Sequence, residues 1–296
     1  MGRRLSPRGK TNAFAWLLLL PSLVFLFLFT FYPIAKTIRL SFYQADLATP
    51  VPVFAGMDNY VRMLGDEVFA KVMLNNAAFA LGVVPTSIAL SLLMAIFANK
   101  AIRGTSFMRT AFFYPTLVPM IAVANIWLFI YTPKYGLLDR AMQSLSVGEI
   151  NWLGSPDYVM WAMIFMMIWK EAGYLMIFYL AGLQNIPPDL YESAQMDGVR
   201  GWTVFRKITF PLLMPTTLFV SIIALTNAFK LVDHLFVMTK GGPNNASSLL
   251  LYYIYETAFS FWDQGMASAL TFVMIAVLLL FAALNFFGLD KKIHYH

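Results

Sequence analysis

Six apolar runs punctuate the chain, at about 13–35, 73–98, 110–131, 159–182, 211–229 and 266–288. Each approaches or exceeds the roughly 20 residues that a helix rising about 1.5 Å per residue needs to cross a hydrocarbon layer about 30 Å thick. The runs are continuous rather than alternating, which predicts helices and argues against the shorter alternating strands of a membrane barrel. The first run follows Arg3, Arg4, Arg8 and Lys10. It is too long for a signal-peptide core and has no small-residue cleavage site after it, so it reads as a retained anchor. Between runs, 36–72 and 132–158 are rich in Pro, Gly and Asp and predict ordered loops over the membrane surface. Leu249–Phe261 is too short to span and reads as an interfacial or re-entrant helix, with Tyr252, Tyr253, Tyr255 and Trp262 at headgroup level.

Composition strengthens this picture. Of 296 residues, 59% are hydrophobic and 12% charged, against about 25% charged in soluble proteins. The expected fold is an all-α polytopic membrane protein with six transmembrane helices in a single domain over 1–296. The net charge of +6 does not indicate nucleic acid, because the basic residues flank apolar runs instead of forming one patch. Lys100, Arg103, Arg109, Arg200, Arg206, Lys207, Lys291 and Lys292 fall in short segments on the same side as the basic N-terminal segment. The positive-inside rule then places both termini in the cytoplasm. There is no cysteine, hence no disulfide framework or thiolate metal site. His234, His294 and His296 are too scattered for a metal cluster. Gly9-Lys10-Thr11 resembles the end of a phosphate-binding loop, but Arg4 stands where its first glycine is required.

The segment Pro187–Pro215, predicted to face the cytoplasm, has signals of its own. Pro187 and Pro188 end the preceding helix. Asp189 is placed to N-cap a short helix, Glu192 to complete a capping box, and Gly198 to end the helix in the left-handed region. A second helix starts near Trp202 and runs through Phe205 and Ile208 to a turn at Pro211. Lipid gives a loop no reason to keep such a helical pair, whereas a docking partner does. Arg206 and Lys207 would suit lipid headgroups, but Asp189, Glu192 and Asp197 would not.

The same residues carry a resemblance. Glu192-Ser193-Ala194, then Asp197-Gly198, nine residues, then Ile208-Thr209-Phe210-Pro211 is similar to the EAA loop of ABC-importer permease subunits, departing at Ser193 and Phe210. Trp169-Lys170-Glu171-Ala172-Gly173-Tyr174 and Leu180–Pro187 resemble the fourth-span signature of the carbohydrate-type permeases. Thr239-Lys240-Gly241-Gly242-Pro243 with Tyr253–Phe259 resembles that family's outer loop. With Tyr32-Pro33 and Leu40-Ser41-Phe42 the likeness covers essentially the whole chain, in the maltose and glycerol-3-phosphate group. It implies a type I importer permease fold in a bacterial inner membrane, with a coupling loop at about 187–210. Glu192, Ser193, Ala194, Met196, Asp197, Gly198, Phe205, Ile208 and Pro211 would serve coupling to a cytoplasmic ATPase dimer. The partners implied are that dimer, a second homologous permease chain, an extracytoplasmic solute-binding protein on the loops 36–72, 132–158 and 230–265, and membrane lipid. No cofactor is expected on this chain; ATP and Mg belong to the ATPase.

Ionisable and amide side chains within spans are the candidates for a solute path. A charge there costs roughly 2.5–3.5 kcal/mol on insertion scales, which singles out Lys170 and Glu171. They point about 100° apart on a helix, so one can meet solute while the other pairs with a neighbouring helix, or both can serve packing alone. Asn125 and Asn227, with Asn75, Asn76 and Asn285, suit sugar hydroxyls or interhelical hydrogen bonds. Tyr174, Trp127, Tyr131 and Trp169 suit stacking on a sugar or packing. The rival class, an autonomous secondary transporter or channel, calls for more intramembrane acid–base pairs than these. An intramembrane enzyme would need a nucleophile or paired-carboxylate constellation that the spans lack.

Overall fold

The computed structural model describes residues 7–49, 51–100, 104–146, 148–199 and 201–290. Arg3, Arg4, Arg103, Arg200, Lys291, Lys292, His294 and His296 lie outside the described residues. In chain order the helices are α1 (Pro7–Leu26), α2 (Tyr32–Leu40), α3 (Asp58–Leu64), α4 (Glu67–Ala98), α5 (Thr105–Leu117), α6 (Met120–Ile130), α7 (Leu137–Ser144) and α8 (Pro156–Gln184). They continue with α9 (Pro188–Met196), α10 (Trp202–Val204), α11 (Phe210–Leu212), α12 (Met214–Lys230), α13 (Asp233–Met238), α14 (Leu250–Tyr255) and α15 (Gln264–Asp290). A two-residue antiparallel hairpin, β1 (Tyr43–Gln44) with β2 (Val53–Phe54), pairs Tyr43 with Phe54. Contacts gather the chain into two compact units: the residues up to Gly65 with Ile254–Val273, and Asp66–Tyr253 with Met274 onward.

In the first unit, α1 runs through a π-helical turn, Phe27–Phe31, into α2, giving an apolar rod over Phe14–Leu40. Pro33 explains the wide turn: its ring crowds the carbonyl four residues back and it donates no hydrogen bond. Beyond the rod, Asn59 is buried and donates to the carbonyls of Ser41 (2.9 Å) and Tyr43 (3.0 Å). Arg62 pairs with Asp263, which also accepts from the Met266 amide at the start of α15. Gly265 has no room for a side chain, since a Cβ would sit 2.3 Å from the Tyr43 carbonyl oxygen. The predicted outer loop is therefore ordered by backbone acceptors that polar side chains satisfy. At its tip the Asp46 carboxyl is held below its usual pKa by hydrogen bonds from Thr49 and Gln44.

The second unit is built around α8. Met163, Met166, Met167, Leu175, Met176 and Tyr179 on this helix are almost completely buried. They enter three apolar clusters: one with Phe79, Val83 and Phe229, one with Ala95, Leu213 and Val220, and one with Val123, Trp127 and Tyr131. Lipid provides no hydrophobic drive between helices, so close approach through small residues has to supply dispersion contact. Ser87, Ser91 and Ala95 on α4 are buried. Gly173 on α8 lies so near α5 that a Cβ would be 1.9 Å from the Phe112 carbonyl oxygen, and Gly182 would place one 2.7 Å from Thr216 Oγ1 on α12.

The six predicted runs map onto Phe14–Leu40, Glu67–Ala98, the pair α5 and α6, Pro156–Gln184, Met214–Met238 and Gln264–Asn285. The third differs from expectation. The stretch 110–131 is not one helix: α5 and α6 meet at 97°, with Val118 extended (φ −78°, ψ 128°) before Pro119. A residue before proline is driven from the helical region, and Pro119 withholds the amide that the Pro115 carbonyl would use. Tyr252 and Tyr253 also depart from the headgroup reading. Both are buried, Tyr252 against Phe236 (ring centroids 5.0 Å apart) and Tyr253 with its hydroxyl on the Asp66 carboxylate. Tyr255 and Trp262 are exposed.

Two outcomes follow. With Gly173→Val, overpacking between α8 and α5 should destabilise the chain by at least the about 1–3 kcal/mol typical of such changes, read as lower thermal stability in detergent. Sidedness can be read from single Ser6→Cys and Ser146→Cys variants of this cysteine-free chain. An impermeant thiol reagent on spheroplasts should label the second and spare the first. Protection of the second would instead make α5 and α6 a re-entrant loop.

Candidate functional site: the elbow after the fourth span and the polar cluster within it

The elbow is made of α9, a two-glycine turn and α10. α9 starts at Pro188 with Pro187 at the N-cap and no side-chain cap. Asp189 therefore lies within the first turn and not at the cap, and the expected capping box is not formed. The proline pair removes the need for one, because Pro188 at the first helical position has no amide to satisfy; Asp189 still favours the positive helix end. At the other end Gly198 is left-handed (φ 73°). Its amide donates to the Gln195 carbonyl (3.0 Å) and the Val199 amide to the Ala194 carbonyl (2.8 Å). That pair of bonds is a Schellman motif, as the glycine predicted.

Gly201, which the sequence reading passed over, is the second pivot, at φ 61° and ψ −125°. Its signal was a second glycine three residues after the first. From there α10 leads into a π-helical turn, Phe205–Thr209, two residues before Pro211, the same spacing as the wide turn before Pro33. Pro211 is helical, the second residue of α11, and does not form a turn. Tyr191 on α9 and Thr209 in the wide turn share a hydrogen bond of 3.2 Å. Tyr191, Val199, Phe205 and Thr209 line, with Ile96 and Leu183, a cavity of about 480 Å³ beneath the elbow.

Of the residues assigned to coupling, Ala194 is buried and Phe205 and Ile208 are half-buried. Glu192, Ser193, Met196, Asp197, Gly198 and Pro211 are exposed. Met196 is 82% exposed and Trp202, also in the elbow, 71%. Trp202 stacks on Phe205 (5.1 Å) and Phe205 leans on Phe210 (5.9 Å). The elbow is thus internally satisfied and shows outward a mixed surface of acids and large apolar groups.

The intramembrane candidates separate. Lys170 on α8 is buried, and its Nζ donates to the carbonyls of Pro115 (2.7 Å), Thr116 (3.1 Å) and Val118 (2.6 Å) at the end of α5. Glu171 is buried too and accepts from Asn227 Nδ2 on α12 at 2.8 Å. The neighbours therefore bind different helices, as their angular separation requires. Asn125 is exposed on α6 and donates to the Ile121 carbonyl (2.8 Å). Tyr174 is half-buried, edge-on to Phe178 at 5.3 Å. Asn75 and Asn76 hold the segment after Gly242 through the Asn245 and Ser248 carbonyls and the Leu250 amide. Asn285 accepts from Ser221 at 3.1 Å. Arg109, read only as a topology charge, donates twice to the Ala98 carbonyl (2.9 and 2.8 Å) and closes the end of α4.

A family model described as binding-protein-dependent transport system inner membrane component matches residues 87–292. The sulfoquinovosyl glycerol transport system permease of Agrobacterium fabrum is 33% identical over 264 residues, 89% of this chain and 86% of that one. The trehalose/maltose transport system permease of Thermococcus litoralis is 32% identical, covering 88% and 89%. In fold, the chain is similar to a chain of a crystallised bacterial ABC transporter involved in import of the acidic polysaccharide alginate, with TM-score 0.84 at 22% identity over 95% of this chain and 96% of that one.

Gly198→Val should strain the elbow by the about 1–2 kcal/mol that a side chain costs in the left-handed region. Amide exchange over 189–197 should quicken roughly five- to thirty-fold, and Gly198→Asn should quicken it less, since Asn tolerates that conformation.

Proposed function

The chain belongs to the family of binding-protein-dependent transport system inner membrane components, and on that premise we propose that it forms half of a translocation pathway driven from the cytoplasm through the elbow. It is the non-catalytic, multi-pass permease of an ABC importer. A second, homologous permease chain completes the pathway, an ATPase dimer holding ATP and Mg drives it, and a solute-binding protein delivers cargo to the outer loops. Both termini face the cytoplasm, and 1–296 acts as one permease domain. The rival reading, an autonomous gradient-driven transporter or channel, falls with the family assignment.

One observation carries the coupling role: the elbow is fixed from within by two positive-φ glycines and the Tyr191–Thr209 bond, yet turns Glu192, Met196 and Trp202 outward. A locked turn that exposes acids together with large apolar side chains suits a protein groove better than lipid headgroups. Glu192, Ser193, Met196 and Asp197 form the docking face, Ala194 and Gly198 shape it, and Phe205, Ile208 and Pro211 join it to the fifth span. Nucleotide-driven closure of the ATPases moves that face, and rigid-body rocking alternates access to a site near mid-membrane.

The cargo is a carbohydrate or polyol derivative, supported by the sugar and sugar-glycerol systems for which the relatives are named. Asn125 and Tyr174, which keep accessible surface, border the path. Glu171 and Asn227 stand behind them as an interhelical pair, a type of bond averaging about 0.6 kcal/mol in membranes.

Reversal of charge by Glu192→Lys tests the docking face. Recovery of the ATPase with the purified permease should fall at least tenfold, equivalent to about 1.4 kcal/mol, while the permease itself is made at normal levels. Undiminished recovery would contradict the role given to the elbow.

A further inference from the structure

The Lys170 ammonium has three hydrogens to donate, and three carbonyl oxygens of the α5 end lie at 2.6–3.1 Å from it. Their need for a donor is written in the sequence of the break itself. The Pro115 carbonyl would ordinarily accept from the amide four residues on, but that residue is Pro119, which has none. Val118 is extended, so its own carbonyl points away from any helical partner. In lipid no water makes up the deficit. The carbonyl end of α5 also carries the negative pole of its helix dipole, which favours a cation. Gly173, one turn further along α8, lets the two backbones come close enough for the reach, because any side chain there would strike the Phe112 carbonyl.

We propose that Lys170 is a positioning residue that holds the third span at its 97° bend by supplying, from α8, the donors that Val118-Pro119 removes. The lysine is thereby committed to protein and is not a solute contact, and the direction of α6, which carries Asn125, is set by it. Glu171 performs the matching service toward α12 through Asn227. Adjacent residues of one helix thus fix the two helices on either side of it. The inference concerns the shape of the pathway wall and stands apart from docking of the ATPase.

Spin-label distances across the bend test it in the complete permease–ATPase complex in nanodiscs. Ser106 and Phe129 are exposed near the outer ends of α5 and α6. With about 1.5 Å per residue, Ser106→Cys and Phe129→Cys backbones should lie about 22 Å apart at the observed bend and about 35 Å apart in a straight helix. The unmodified background should give one narrow distribution near the shorter value. Lys170→Met should broaden it toward longer distances, and Lys170→Arg should restore the narrow one by returning donors. Combining Lys170→Met with Pro119→Ala restores an amide for the Pro115 carbonyl and should move the distribution close to the longer value. The double variant also covers the case in which Lys170→Met alone fails to assemble. An unchanged distribution in Lys170→Met, or in the double variant, would overturn the proposal.

Discussion

Lipid offers a backbone no hydrogen-bond partner, and most of this structure can be read as an answer to that constraint. Prolines at 33, 119 and 211 interrupt helical backbone, and each leaves carbonyls to be satisfied. Before Pro33 and Pro211 the helix absorbs the insult itself by widening into a π-helical turn. At Pro119 the chain breaks outright, and the donors come from a different helix in the form of Lys170. The same economy recurs at the C-terminal end of α4, where Arg109 closes the Ala98 carbonyl. Polar and charged residues that look costly in a hydropathy profile are, in these places, what makes non-helical backbone tolerable.

Because α8 meets α4, α5, α12 and the start of the elbow, its sequence has little freedom. Glycines at 173 and 182 set how near its neighbours come, methionines at 163, 166, 167 and 176 fill the irregular spaces between them, and Lys170 and Glu171 reach one neighbour each. Unbranched, polarizable methionine adapts its shape more readily than leucine, which suits gaps of uneven width between these helices. The elbow follows α8 after only the Asn185–Pro187 link and returns through the wide turn into α12. Movement imposed on α9 therefore reaches two spans at once, one by each end of the turn.

Much of this was legible in residues taken locally. Apolar length alone located five of the spans, and the proline and glycine grammar of 187–201 placed the elbow helix and its left-handed end. Several local readings missed. Asp189 looked like a cap because its chemistry suits one, but Pro188 had already dispensed with the need. Pro119 was visible, yet a proline in an apolar run can kink a helix or end it. The choice depends on whether a distant side chain can supply donors, and Lys170 is far away in sequence. The partners of Glu171, Asn75 and Asn76 were illegible for the same reason: residue type announces the capacity to bond, while the fold decides with what. Tyr252 and Tyr253 went inward because Phe236 and Asp66 were waiting for them, which no hydropathy pattern records.

The central claim is mechanical: the elbow and the fifth span move as one piece, so that force applied at Glu192 is not lost in a flexible joint. Paired spin labels at Met196 and Phe219, both exposed, measure this directly in the assembled complex with and without Mg-ATP. The account predicts that their separation stays constant while the distance from Met196 to its counterpart on the second permease chain shortens on nucleotide binding. A Met196–Phe219 distance that shifts by several ångströms with nucleotide would contradict it, since the elbow would then flex independently of the span it is held to drive.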